Sequence, residues 1–174
     1  IGLKALKLGE AREAQRPMKK AAEADSSFEL AHAAEGFLIH WGLDTPELSL
    51  SNYQKALKVY PDYHAARVNL AAAMMEIRRY WRDDWKEEVA KYWKEAAELN
   101  EAVLAAGASP GSSAKAPSSE VLQTAEINLA LCLYRQGNES GAKEHLNAVL
   151  AKNPDNCRVH AALGVMAGKA GDHA

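Results

Sequence analysis

The segment from Asn128 to Ala142, NLALCLYRQGNESGA, places an apolar helical pattern before an abrupt stop. Leu129 and Leu133 lie four positions apart with Ala130 between them, so one side of a helix is apolar. Gly137 can adopt the left-handed backbone conformation that ends many helices. A second helical pattern follows at once, so the segment predicts two helices joined by a tight turn.

This pattern repeats with a period of 34 residues. Leu129, Ala130, Leu133 and Gly137 recur as Leu163, Gly164, Ala167 and Gly171, and the same offset relates Gly2, Ala5 and Ala14 to Gly36, Ile39 and Leu48. The signature appears once more as Leu70, Ala71 and Met74. A period near 34 predicts stacked helix pairs, because one helical hairpin cannot cover its own apolar face.

Small residues recur at one position of the predicted first helices, at Gly36, Ala71, Ala130 and Gly164. We expect them where two helices cross, because only small side chains allow a close approach of the two backbones. The run Asn153 to Asp155 contains a proline that ends the next helix and helps to start its successor.

The sequence resembles the tetratricopeptide repeat (TPR) family. The best unit runs from about Gln123 to Asp155 and matches the family at Leu129, Ala130, Leu133, Gly137, Ala142, Leu146, Val149 and Pro154. An earlier unit matches at Tyr53, Ala56, Leu57 and Pro61, and a truncated first unit at Ala14, Met18 and Ala21. The resemblance implies an all-α fold, a right-handed α-solenoid of TPR-like helix-turn-helix repeats.

The chain divides into five predicted units and one loop. They are a partial first unit (1–25), a second unit (26–62), an irregular third unit with a long second helix (63–106), a flexible loop rich in Pro, Gly and Ser (107–119), a fourth and most regular unit (120–155), and the first helix of a truncated fifth unit (156–174). The sequence starts with a helical pattern of apolar residues and without Met, so we expect it to be part of a longer protein.

Two features depart from the repeat. Pro17 falls inside a predicted helix, where it costs about 3 kcal/mol unless it lies in the first turn. Leu43 stands where the fourth unit has Gly137, so the second turn must be built differently. In the third unit, Val89, Trp93 and Ala96 best match the repeat positions of the second helix.

The charge and the cysteines limit the classes of function. The net charge is −2 with a pI near 6.3, whereas nucleic-acid and membrane-surface proteins usually have a basic excess. No apolar run reaches the ~18 residues of a membrane span. Two cysteines without a CxxC motif favour a reducing, intracellular compartment such as the cytoplasm.

Catalytic chemistry finds little support in the sequence. The six histidines are scattered, and no GxSxG, phosphate-binding glycine loop or HExxH is present. Cys132 lies on an apolar helix, where packing is the expected role, and Cys157 lies near a corner. We therefore expect no enzyme activity, no cofactor and no metal.

In the TPR family the first helices line a concave surface, and the resemblance assigns that surface to particular residues. The candidates for partner binding are Phe37, His40, Trp41, Asn69, Glu76, Thr124, Asn128, Leu131, Arg135 and Arg158. Apolar residues fill most of the remaining concave positions: Ala33, Ala65, Val68, Ala72, Ile127, Ala162 and Val165. A clamp of Lys, Arg and Asn for a chaperone carboxylate is largely absent, so the groove suits an amphipathic helix or an apolar segment.

Asn69 and Asn128 occupy equivalent positions in their units. One interpretation is a ladder of amides that holds the backbone of an extended peptide, because an amide both donates and accepts hydrogen bonds. The other is that asparagine before leucine is common in this repeat and is simply solvated.

An aromatic cluster, RRYWRDDWKEEVAKYW, holds three of the four tryptophans. Trp81 and Trp85 are candidates for a secondary protein contact, because tryptophan is enriched at binding hot spots. The alternative is that Trp85 and Trp93, eight residues apart, pack the long helix onto its neighbours. The arginines of the cluster favour RNA, but the acidic residues that follow cancel their charge.

The sequence therefore predicts a non-enzymatic scaffold or adaptor, a subunit or segment of a larger assembly, that holds a protein segment along the concave face. The alternative is a regulatory or substrate-recruiting domain of a larger enzyme, and a helical-repeat RNA binder is a third, less favoured interpretation. The identity of the partner and the oligomeric state do not follow from the sequence.

Overall fold

The computed structural model describes residues 8–77, 86–109 and 116–171. In these ranges the chain forms the helices α1 (Leu8–Ala24), α2 (Glu29–Phe37), α3 (Pro46–Val59), α4 (His64–Glu76), α5 (Lys86–Ala108), α6 (Ser119–Arg135), α7 (Glu139–Lys152) and α8 (Cys157–Gly171). A π-helical turn, Leu38–Gly42, continues α2. Each helix packs on the next along the chain, and α4 also packs on α6. The predicted all-α solenoid of helix pairs is thus confirmed.

The pair α6–α7 has the predicted regular geometry. Ser118 caps α6 by accepting a hydrogen bond from the backbone N–H of Val121 (3.3 Å). Gly137 adopts φ +85°, which confirms its predicted left-handed conformation, and Asn138 then caps α7. Ala142 of α7 is buried in a cluster whose members are Ile127, Ala130, Ala142, Leu146, Val149, Val159, Ala162 and Met166.

The turn of the pair α2–α3 is built differently, as Leu43 predicted. The backbone N–H of Leu43 donates to the carbonyl oxygen of Leu38 (3.0 Å), a π-helical bond that adds one residue to the helix. Asp44, at φ 53°, then takes the left-handed conformation one position later than the repeat predicts. Beyond this residue the spacing is regular again, since Ser49, Tyr53, Ala56 and Pro61 follow Asp44 at the distances at which Ala142, Leu146, Val149 and Pro154 follow Gly137.

The register predicted for the long helix α5 is wrong by two turns. Ala96, Asn100 and Val103 are each 0% exposed and have the spacing of Ala142, Leu146 and Val149. Val89 and Trp93, which the sequence assigned to this role, are only partly buried. The residues that the third unit has in excess of the 34-residue period therefore lie both before Ala96 and after Val103. The predicted assignment placed too few of them before these packed positions of α5.

The small residues meet their expected neighbours at three of four positions. A Cβ added to Gly36 would lie 3.1 Å from the ring of Tyr53 and 3.2 Å from Cβ of Asn52. Ala71 and Ala130 are fully buried. The prediction is wrong for Gly164, where a Cβ would have nothing within 4 Å, because no helix of the described ranges covers that side of α8.

Pro17 lies well inside α1, and the helix runs through it. The first turn, where proline is tolerated without cost, is therefore not its position. The Pro, Gly and Ser loop predicted at 107–119 is in part helical, because α5 ends at Ala108 and α6 starts at Ser119; its central residues, 110–115, lie outside the described ranges.

Candidate binding surface

The structure brings four predicted site residues together where α2 and α4 end. We call Phe37, His40, Trp41 and Glu76 the Trp41 cluster. The Phe37 and Trp41 rings lie 6.4 Å apart, and the Trp41 ring stacks on His40 at 4.2 Å. Nε2 of His40 lies 3.2 Å from a carboxylate oxygen of Glu76. The cluster thus links the first helices of two neighbouring units through the contact between His40 and Glu76, which lies beneath the aromatic rings.

His40 is the buried support of this cluster. It is 1% exposed, so almost none of its surface is open to the partner contact predicted for it, which stays a prediction. The carboxylate of Glu76 can only accept from the imidazole, which orients the ring, and the edge of that ring meets Tyr53 at 6.3 Å. His40 therefore positions Trp41 through stacking, while Trp41 itself is 48% exposed.

An apolar stripe runs along α2 and ends at the Trp41 cluster. Leu30, Phe37 and Trp41 lie at positions i, i+7 and i+11, which puts them on one face of a helix. Leu30 is 50% exposed, and it was not among the residues predicted from the sequence to bind a partner. Its signal was available, because it lies three residues before Ala33 and seven before Phe37, at the start of the same stripe.

The apolar character of the surface comes from these large side chains and not from the small residues that the sequence assigned to it. Ala33, Val68, Ile127 and Ala162 belong to the buried clusters of the core. Val165 of α8, by contrast, is 61% exposed, in agreement with its assignment to the open face. The predicted apolar groove is therefore restricted to the stripe on α2 and to isolated positions elsewhere.

The predicted amide ladder is not formed by equivalent side chains. Asn128 is 2% exposed and donates from Nδ2 to the carbonyl oxygen of Val68 (3.3 Å), which fastens α6 to α4. Asn69 is only half-buried. Asn128 is thus an internal residue, because its amide already serves the contact between two helices, and the interpretation that it is solvated is wrong as well.

The other predicted residues are scattered along the stack. Thr124 donates its hydroxyl to the carbonyl oxygen of Glu120 (2.9 Å) within its own helix. Leu131 is half-buried between the cluster of α6, α7 and α8 described above and the central core cluster, whose members are Tyr53, Leu70, Ala71, Ala73, Met74, Met75, Ala96, Ala97, Leu129 and Cys132. Arg135 and Arg158 are exposed, and the guanidinium of Arg135 lies over the Trp93 ring, 5.2 Å from its centroid.

Trp81 and Trp85 lie outside the described residues, so their predicted secondary contact stays a prediction. Trp93 packs against the central core cluster together with Tyr92. This agrees with the packing interpretation for Trp93, and its cation–π contact with Arg135 adds a second tie between α5 and α6.

The two cysteines differ in their capacity to react. Cys132 is 0% exposed, and burial, with a smaller contribution from the charge of Glu101, raises the pKa of its thiol to about 12. Because the thiolate is the nucleophile, Cys132 is inert near neutral pH. Cys157 is exposed, and the two thiols are not paired with each other.

The described residues offer neither a metal site nor a membrane span. In residues 8–77, 86–109 and 116–171, His, Cys, Asp and Glu nowhere form a group of three or more that could hold a metal ion. None of the helices in the same ranges combines the length and the apolar composition that crossing a bilayer requires.

Comparisons with known proteins agree with this architecture. Residues 125–156 match the family model described as tetratricopeptide repeat. The chain resembles the crystal structure of MamA with a TM-score of 0.61 and 18% identity, over 94% of this chain and 80% of that chain. It is also similar, with a TM-score of 0.44 and 15% identity over 90% of this chain and 84% of that one, to YrrB, whose structure is described as a TPR protein with an unusual peptide-binding site. No curated protein sequence matches the chain.

One tetratricopeptide repeat is therefore identified in the chain, at residues 125–156. The family match falls on the regular α6–α7 pair, and the likeness to MamA extends the fold to most of the chain. This confirms the resemblance inferred from the repeat positions.

Proposed function

We propose that this protein is a non-enzymatic scaffold or adaptor that holds a segment of a partner protein against the apolar stripe of α2. The observation that carries the proposal is the exposure of Leu30 and Trp41 on the same helix face, at 50% and 48%. Two large apolar side chains on one face, joined through Phe37, favour a protein contact more than isolated exposed residues do. Membership of a larger assembly and an intracellular location are parts of the same proposal.

The partner segment that fits this stripe is apolar on the side that faces α2. The stripe extends over 12 residues, from Leu30 to Trp41, or ~16 Å of helix. An amphipathic helix of about three turns presents anchors at i, i+4 and i+7 over a similar length. Trp41 is the expected hot spot, because it is rigidly stacked on His40 and loses little side-chain freedom when it is covered.

Site-specific photo-crosslinking tests the proposal. We would replace Trp41 by p-benzoylphenylalanine in the full-length protein and identify the adducts formed in cells. Leu48 is the matched control position, since it is 66% exposed and lies on α3 and not on the helix that carries the stripe. We expect one recurrent partner from position 41 that is missing from position 48.

A second-site variant makes this experiment decisive. Leu30→Ala should remove most of the adduct formed at position 41, because it deletes the other end of the stripe. With the partner segment purified, Trp41→Ala should weaken binding by about 30-fold or more, as expected for a hot spot. Identical adducts at positions 41 and 48, or an adduct that Leu30→Ala leaves unchanged, would contradict the proposed surface.

The regulatory-domain alternative predicts a different result from the same experiment. If the stripe serves a catalytic domain of the same polypeptide, the adducts at position 41 will be intramolecular. The RNA alternative predicts that the affinity for RNA falls steeply with salt. No described residue favours either alternative over the scaffold.

A further inference from the structure

A cleft of about 730 Å³ lies between α1, α2 and α3. On α2 it is lined by His32 and Glu35, which lie on the helix face opposite to the stripe of Leu30, Phe37 and Trp41. The cleft is therefore separate from the surface proposed above, and its volume is in the range of small-ligand sites.

The floor of the cleft contains a charge where the repeat has an apolar residue. The residue before the small crossing residue is Leu70 in α4, Leu129 in α6 and Leu163 in α8. In α2 the same position, before Gly36, is Glu35, and this residue is 8% exposed. A leucine would serve the packing of the solenoid at this position, so the glutamate needs another explanation.

The side chain of Glu35 makes no hydrogen bond or ion pair in the part of the chain that the structure describes. Among the described residues, the same holds for the side chain of Asn52, which is 7% exposed and lines the cleft from α3. Their polar atoms are not among the fully buried ones that have no hydrogen-bond partner, so these atoms keep some accessible surface in the cleft. The two side chains thus offer acceptors and donors to a molecule in the cleft.

The surroundings of Glu35 supply a pre-formed wall and a positive rim. Nε2 of His32 donates to the carbonyl oxygen of Ser26 (3.1 Å) and so fixes the turn between α1 and α2. The rim holds Lys19, Lys55 and Lys58. Lys19 forms an exposed ion pair with Glu23 (3.9 Å), whereas Lys55 and Lys58 have no ion pair among the described residues. A negative floor lies below a positive rim.

We propose that this cleft binds a basic amino acid that carries a free carboxylate, with its guanidinium or ammonium group on Glu35 and its carboxylate on Lys55 and Lys58. A cation on the floor satisfies the buried carboxylate, and Asn52 can accept from the same group. An anion at the rim matches the two unpaired lysines. A purely anionic ligand would leave Glu35 unpaired, and a purely cationic one would gain nothing from the rim.

Titration with N-acetyl-arginine, followed by amide chemical shifts in ¹⁵N–¹H NMR spectra of the whole chain, tests this site. Shifts are expected at Glu35, Asn52 and Lys55. N-acetyl-citrulline has the same shape without the charge and should bind at least tenfold more weakly. Glu35→Gln should weaken N-acetyl-arginine by a similar factor, whereas Glu144→Gln, on the exposed side of α7, should leave its affinity unchanged.

The rim is tested with a ligand that lacks the carboxylate. The double variant Lys55→Gln, Lys58→Gln should weaken N-acetyl-arginine at least threefold and leave the affinity for argininamide unchanged. Glu35→Leu should fold, melt at a higher temperature than the native chain, and lose the response to N-acetyl-arginine. This combination separates a ligand-binding role of Glu35 from a structural one.

Three results would overturn the proposal: equal affinity for the citrulline analogue, unchanged binding by Glu35→Gln, or a Glu35→Leu variant that is less stable than the native chain. The source of the ligand follows from one more comparison. Tighter binding of N-acetyl-arginine than of free arginine identifies the C-terminal residue of another chain, and the reverse order identifies the free amino acid.

Discussion

The helix pairs α2–α3 and α6–α7 have the same arrangement and differ at a few positions. The α6–α7 pair follows the repeat throughout, with Leu129 before its crossing residue and Gly137 at its turn. In the α2–α3 pair, Glu35 replaces the leucine, and a π-helical turn adds one residue before Asp44. The departures coincide with the two surfaces that have features of binding sites, since the longer helix carries Trp41 and the glutamate lines the cleft. Regular positions hold the stack together, and irregular ones are where functional sites are found.

The largest expected effect comes from exchanging the residues that distinguish the two pairs. Leu129 is 3% exposed in the central core, so Leu129→Glu would bury an unpaired charge and lower the free energy of unfolding by about 3–5 kcal/mol. Glu35→Leu should raise it by about 1–3 kcal/mol, because it places an apolar side chain at a position that is 8% exposed. Urea denaturation of both variants measures the two changes.

The comparison requires that Leu129→Glu and Glu35→Leu change the free energy of unfolding in opposite directions. Leu129→Gln is the control that separates lost packing from buried charge, and it should cost less than Leu129→Glu. If Glu35→Leu destabilises the chain as well, then the two pairs do not share the packing position that the repeat assigns to these residues.

The second prediction concerns the crossing residues Gly36 and Gly164. Gly36→Leu forces a side chain into the space taken by Tyr53 and Asn52, and we expect a loss of about 2–3 kcal/mol. A Cβ added to Gly164 would have nothing within 4 Å, and Gly164→Leu replaces a helical glycine, so this substitution should be neutral or stabilising by up to about 1 kcal/mol. Thermal unfolding followed by circular dichroism compares them, and equal melting temperatures would show that α2 and α3 do not approach closely at Gly36.

Much of the architecture could be predicted from the sequence because the repeat is encoded by residue size. The small residues and Gly137 determine where helices approach and where they turn, and both are visible at a spacing of 34. The π-helical turn was visible only as the absence of glycine at Leu43. The register of α5 was missed because Val89, Trp93, Ala96 and Ala96, Asn100, Val103 have the same spacing, and only packing distinguishes them.

The candidate site was less predictable, because exposure depends on neighbours that are distant in the sequence. Asn69 and Asn128 have equivalent positions in their units, yet only Asn128 is buried against α4, where its amide donates to the carbonyl oxygen of Val68. His40 was expected to be open and is covered by Trp41 and Tyr53. Glu35 attracted no attention in the sequence, although comparison with Leu70 and Leu129 would have singled it out.

A third prediction converts the α6–α7 pair to the α2–α3 pair at the asparagine position. The residue of α2 equivalent to Asn128 is Ala34. Asn128→Ala removes the bond to Val68 and should cost about 1–2 kcal/mol of unfolding free energy. Asn69→Ala, at the same position of α4, should change it by less than about 0.5 kcal/mol. If Asn128→Ala and Asn69→Ala lowered the free energy of unfolding by similar amounts, the two amides would have equivalent roles after all.

The smallest expected effect concerns Tyr53, which stands in α3 where α7 has Leu146. Its hydroxyl is buried without a hydrogen-bond partner among the described residues, and burial, with a contribution from the charge of Glu76, raises its pKa above the ordinary range for tyrosine. The folded chain therefore keeps this phenol protonated, while the unfolded chain ionises it above pH ~10. Stability from this residue is complete below that pH and falls as the pH rises further.

Tyr53→Phe should accordingly raise the free energy of unfolding by up to about 1 kcal/mol at neutral pH, because it removes an unsatisfied group and keeps the ring against Gly36 and His40. Its advantage over the native chain should grow between pH 10 and 11, when unfolding by urea is measured at both values. Tyr63→Phe, at a half-buried ring of the next corner, is the control and should change the alkaline dependence less. A loss of stability in Tyr53→Phe at neutral pH would mean that the hydroxyl is hydrogen-bonded in solution, and that this position of α3 supports the Trp41 cluster by a polar contact that α7 does not need.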